Sequence, residues 1–261
     1  MTNSFFQSPR QLVHHARDEI SDASKLIEDF VGQQRASRVT YQDHLAREDV
    51  HRVKLEGPEL PLKVANLVKD AAANLRDALD HAVYAAAVYL NGGKPRHTGF
   101  PFALDDTGVA GELASKRLAD NPQEMRPYLL GLQPYKGGND LLWSLNQLRN
   151  PSTHRFIVPV GTALMSQSLG IGSASITTMK AGYSQWYPDV KEIEFLRLGW
   201  GSKIDYQVQI SVAVLFEEIE AVKGKPVIDM LQMMAKAVSS VVDGLESEAI
   251  RIREARGPAP L

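Results

Sequence analysis

The hydrophobic period of this chain changes twice, and that narrows its fold more than any single motif. Up to about residue 150, outside 37–56, apolar residues recur at intervals of three and four, the spacing of one helix face. From 156 to 217 they alternate with polar residues, the spacing of a strand with one buried face. From 226 to 254 the helical period returns. At 261 residues, with no long linker and no internal repeat, the pattern predicts a single α+β domain over 1–261. In it a helical bundle (8–34, 61–90, 109–150, 226–254) carries a small antiparallel β insertion (156–217) before the last helix.

The helices have readable ends and faces. Ser8 can cap the first, with Pro9 at its first position, and Leu12, Ala16, Ile20, Ala23, Ile27 and Phe30 form its stripe. In 61–90, Val64, Val68, Ala71, Leu75, Ala78, Ala82 and Ala86 share a face whose small residues predict close helix packing. Short helices fill 109–119 and 122–132 around an aromatic-anchored loop, Phe100-Pro101-Phe102. The helix at 138–150 is capped by Asn139 or Asp140, buries Leu141, Leu142, Leu145 and Leu148, and stops at Asn150-Pro151. Residues 37–56 read as a short polar hairpin. In the insertion, one strand sets Ile193 and Phe195 against Glu192 and Glu194, and turns are expected at Gly182, Tyr187-Pro188-Asp189 and Gly199-Trp200-Gly201-Ser202.

Composition removes several functional classes. A net charge of −2 argues against a surface that coats nucleic acid, though it allows a local basic cleft. With no cysteine, disulfides, thiolate metal sites and Cys nucleophiles are excluded, which fits a cytoplasmic protein. The first eight residues lack the pattern of a secretory signal, and no apolar run is long enough to span a bilayer, so no membrane association is expected. Phosphate-cradling Gly-rich loops, His-x-x-x-His and Gly-x-Ser-x-Gly are all absent. No cofactor and no metal are therefore expected, and a metal-dependent hydrolase lacks its ligand spacing.

Two polar clusters are candidates for chemistry. The first follows the helix at 138–150: Arg149, Asn150, His154 and Arg155 gather around the Pro151 break. Histidine titrates near neutrality and can move a proton, while arginine keeps its charge and grips phosphate oxygens with two N–H groups. The Arg-x4-His spacing alone is weak, since it also occurs at Arg10–His15 and Arg76–His81. The second cluster is Arg76, Asp77, Asp80 and His81, with Arg76–Asp80 and Asp77–His81 each four residues apart on one helix. It reads either as a supporting strip facing the first cluster or as an ordinary solvated face.

The spelling Leu148-Arg149-Asn150-Pro151-Ser152-Thr153-His154 resembles the Arg-x4–6-His motif of HEPN domains, often written with Asn directly after Arg. That resemblance implies a metal-independent endoribonuclease of a defence or toxin–antitoxin kind. The ribose 2′-OH would attack the adjacent phosphate to leave a 2′,3′-cyclic phosphate. In that chemistry His154 would move the proton, Arg149 would stabilise the charge, Asn150 would orient a group, and Arg155 would add a substrate contact. It also implies an RNA partner and a homodimer that pairs two motifs. Leu75-Arg76-x-x-Leu79-Asp80-His81, Phe100-Pro101-Phe102, Leu132-Gln133-Pro134-Tyr135 and His154-Arg155 together look like a group of uncharacterised bacterial proteins. Those often carry Asp-Lys before the His-Arg, where this chain has Ser152 and Thr153. The alternative reading is a non-catalytic helical binding or scaffold protein in which Arg149 and His154 are structural.

Overall fold

A computed structural model describes residues 4–149, 160–216 and 220–257. The described chain is α+β, and it divides into two compact units. The first comprises Met1–Ser24, Leu62–Pro159 and Phe216–Leu261, and the second Lys25–Pro61 and Val160–Leu215.

The first unit is helical. Its long members are α1 (Gln7–Gln33, which continues into the second unit), α2 (Leu62–Asn91) and α6 (Val227–Arg256). The shorter α3 (Asp106–Ala114), α4 (Arg126–Gly131) and α5 (Asp140–Arg149) lie between α2 and the sheet residues in sequence. The seven residues expected on the buried face of α2, Val64 through Ala86, are all 0% exposed. That face packs on α6 and α5, and its alanines let the neighbouring backbones come close. From α6, Val227, Leu231, Met234, Val238 and Leu245 complete the core. Fully burying such a side chain contributes about 1.5–3 kcal/mol each.

Helix α5 is capped by Asn139, whose Oδ1 accepts from Leu142 N–H at 3.2 Å, while Asp140 Oδ1 accepts from Gly137 N–H at 2.7 Å in the turn before the helix. Leu142, Leu145 and Leu148 are buried, whereas Leu141 is only partly so. The start of α1 differs from expectation. A 3-10 turn at Ser4–Phe6 leads into it, so Ser8 lies inside the helix instead of capping it. Phe6 is driven into the core by that turn, and the buried stripe runs through Val13 instead of Leu12.

The second unit is a β structure, and it contains more than the insertion expected at 156–217. The hairpin of β1 (Arg35–Asp43) and β2 (Glu48–Glu56) joins β4 (Met179–Tyr187) and β5 (Glu192–Gly199) in one antiparallel sheet of order β1-β2-β5-β4. β3 (Val160–Ser175) pairs with β6 (Lys203–Phe216) in a second, two-stranded sheet. The hairpin belongs to the sheet because Val53 and Leu55 of β2 pack with Ile193, Phe195, Leu196 and Leu198 of β5.

A bulge reconciles the sequence of β5 with that packing. Arg52 pairs with Glu194 and His51 with Leu196, which leaves Phe195 as the extra residue. Beyond it the alternation inverts, so Leu196 and Leu198 join the apolar face and Arg197 joins Glu192 and Glu194 on the other. β4 accommodates the same irregularity between Ala181 and Gln185, where Gly182 has φ of 82°. Gly182 is therefore a bulge residue within a strand and not the expected turn. Tyr187-Pro188-Asp189 does turn, through a short 3-10 segment, Pro188–Val190, followed by Lys191, which has φ of 55°.

The polar face of this sheet is a closed ionic network. Arg52 lies over Tyr187 at 3.9 Å and pairs with Glu192 and Glu194. Arg197 reaches Glu194, Asp43 and Glu48, while Tyr41 and Tyr187 donate to Glu192 and Glu194. Glu194 is 1% exposed, which is tolerable only because its oxygens have these donors. The Lys180 ammonium, bonded to Glu48, holds that carboxyl below its usual range.

Candidate functional site

Of the residues expected to carry chemistry, Asn150, His154 and Arg155 lie outside the described residues. Arg149 is the last residue of α5. The supporting cluster on α2 is described in full, and it splits in two directions.

Arg76 and Asp80 stay together. Arg76 Nη1 lies 2.5 Å from Asp80 Oδ2, one helical turn on. The Arg76 guanidinium stacks 4.3 Å from the centre of the Phe102 ring, and its Nε–H donates to Asn146 Oδ1 of α5 at 3.3 Å. Asp80 Oδ1 accepts the Phe100 N–H at 2.7 Å. The pair is thus the anchor of the Phe100-Pro101-Phe102 loop, and it ties that loop to α5. It is not a solvated face, since the Arg76 side chain is only 13% exposed. Asp77, half-buried on the same helix, is also engaged.

His81 points elsewhere. Its Nδ1 lies 2.9 Å from Ser8 Oγ of α1. The two residues share an open cleft of about 530 Å³ with Asp80, Thr98 and the apolar wall of Phe5, Tyr84, Ala85 and Val88. Phe5 is fixed by an edge contact with Tyr89, ring centres 5.8 Å apart. One end of the cleft is polar and the opposite wall is aromatic and aliphatic.

The loop that borders the cleft is held by two neighbouring side chains. Asp120 Oδ2 accepts both the Arg96 and His97 N–H groups, and these bonds, His97 first, hold its carboxyl below the ordinary range. The buried Asn121 bonds Gly99 in both directions, through Oδ1 to its N–H and Nδ2 to its carbonyl. The side chains of Lys94, Arg96 and His97 are left exposed beside Thr98.

On another flank of α5, Lys136 lies 5.6 Å from the centre of Trp143. Among the described residues, no three His, Asp or Glu side chains are grouped as ligands for a metal ion. No described helix is long and apolar enough to cross a membrane.

Several residues of this region escaped sequence reasoning. Ser8 reads as a cap, and nothing in its neighbours signals a partner 73 positions away. Phe5 and Thr98 carry no motif. Tyr84 did not escape it: with Asn74, Asp77 and His81 it falls on one strip of α2 at three- and four-residue steps. Asn146 had a weaker signal, a polar residue one turn before the motif on an amphipathic helix.

Comparison with known proteins finds no matching family model, no similar curated protein and no similar solved structure.

Proposed function

We propose that this chain is a HEPN-like metal-independent endoribonuclease whose site lies at the end of α5. The observation that carries the reading is the Arg76–Asn146 bond, which joins the polar strip of α2 to the helix bearing Arg149. Asn146 lies three residues before Arg149, the last residue of α5, so the supporting cluster meets α5 near its C-terminal end. In this reading His154 takes the proton of the attacking 2′-OH, the P–O5′ bond breaks so that the next nucleotide leaves with a protonated 5′-hydroxyl, and Arg149 stabilises the charge gathering on the phosphate oxygens. Asn150 orients the phosphate, and Arg155 binds the next one along. Arg76 and Asp80 are positioning residues that keep α5 and the 100–102 loop in register.

The test is cleavage of single-stranded RNA in excess EDTA by the purified protein. Wild type is expected to leave 2′,3′-cyclic phosphate ends, and His154→Ala to lose at least about a hundredfold in rate, the scale of a general acid–base group. Equal cleavage by the variant defeats the proposal.

A second reading, a non-catalytic binding or scaffold protein, is favoured by the internal engagement of Arg76 and Asp80. Both are used to hold a loop. Stable RNA binding without cleavage would select it.

A further inference from the structure

The cleft between the start of α1 and the second half of α2 has its own chemistry. Its volume, about 530 Å³, falls within the range of small-molecule sites. Phe5 and Tyr84, 48% and 41% exposed, present two large rings to one opening. Hydroxyls of Ser8 and Thr98, the Asp80 carboxylate and the His81 ring supply both donors and acceptors at the polar end. Next to Thr98 in the chain stand the exposed Lys94, Arg96 and His97, whose backbone Asp120 fixes at two points.

A flat ring with a polar edge matches the lining, which combines an aromatic wall with hydrogen-bonding groups, and an attached anion suits the basic run Lys94–His97 that precedes Thr98 in the chain. We propose that this cleft seats one base of a single-stranded RNA. The base stacks on Tyr84 and Phe5, its edge meets Ser8, Asp80 and Thr98, and its phosphate lies toward Lys94 and Arg96. The substrate class rests on the nuclease reading, while the cleft itself does not. A long acyl chain fits less well, because the apolar wall ends at charged and hydroxyl groups.

The experiment uses the full chain carrying His154→Ala, so that binding is scored without turnover. The probe is a short fluorescein-labelled single-stranded RNA, followed by anisotropy, with adenosine and cytidine monophosphates as competitors. Tyr84→Ala is expected to weaken binding by about five- to a hundredfold, the loss of one stacked base, and Tyr84→Phe to restore most of it. Arg96→Ala is expected to weaken binding and to flatten its salt dependence. Tyr84 is exposed, and circular dichroism checks that each variant folds. If wild type cleaves nothing but Tyr84→Ala still weakens binding, the cleft stands and the nuclease reading fails. EDTA-resistant, His154-dependent cleavage with Kd and KM unmoved by Tyr84→Ala overturns the cleft alone. No binding of the RNA or either nucleotide overturns it outright.

Discussion

Arg76 is held from three directions at once: by a carboxylate on its own helix, by an amide oxygen on α5 and by an aromatic ring in the loop. A guanidinium so enclosed takes its counter-charge from Asp80, and Asp80 in turn keeps the Phe100 N–H from being unpaired. Asp80→Ala should therefore lower stability by about 2–3 kcal/mol in urea unfolding, the scale for losing hydrogen bonds to a charged group. A change below about 0.5 kcal/mol, the level of an ordinary surface substitution, would show that the loop is held by other means. The i,i+4 spacing of this pair was legible in the sequence. Its burial was not, because that depends on Phe102 and Asn146, which are distant in the chain and meet it only in the folded unit.

At the scale of elements, helices were more legible than strands. The apolar face of α2 follows directly from its residue spacing, because helical period depends on local sequence alone. The sheet depends on pairing. The hairpin expected at 37–56 looks polar in isolation, yet its Val53 and Leu55 complete the core on β5. The inversion of β5 at Phe195 cannot be read from alternation, because a bulge is a relation between two strands.

Glycine substitutions probe that difference in kind. Gly32 in α1 and Gly182 in β4 both have open space where a Cβ would go. Only Gly182 has a positive φ, 82°. Gly32→Ala should then stabilise by about 0.5–1 kcal/mol through the unfolded chain. Gly182→Ala should destabilise by about 1–2 kcal/mol through backbone strain. Two shifts of the same sign in thermal melts would refute the assignment of Gly182 as a left-handed bulge residue.

For the whole molecule, a net charge of −2 sets a condition on any RNA function. Attraction to phosphate must come from a few local cations, so affinity should be modest and strongly reduced by salt. A symmetric dimer answers part of this, because a two-fold axis doubles each cation near it and can bring two copies of one motif together. If the HEPN-like reading holds, the working unit is such a dimer, of twice 28.8 kDa, and sedimentation equilibrium should find it. Mass alone does not place the motif at the axis; complementation does. Arg149→Ala and His154→Ala chains, each inactive by itself, should regain measurable EDTA-resistant cleavage when refolded together, since a mixed dimer supplies one arginine and one histidine to a shared site. If the mixture stays inactive while mixed dimers form, each site is contained within a single chain, and the dimer, where present, serves something other than catalysis.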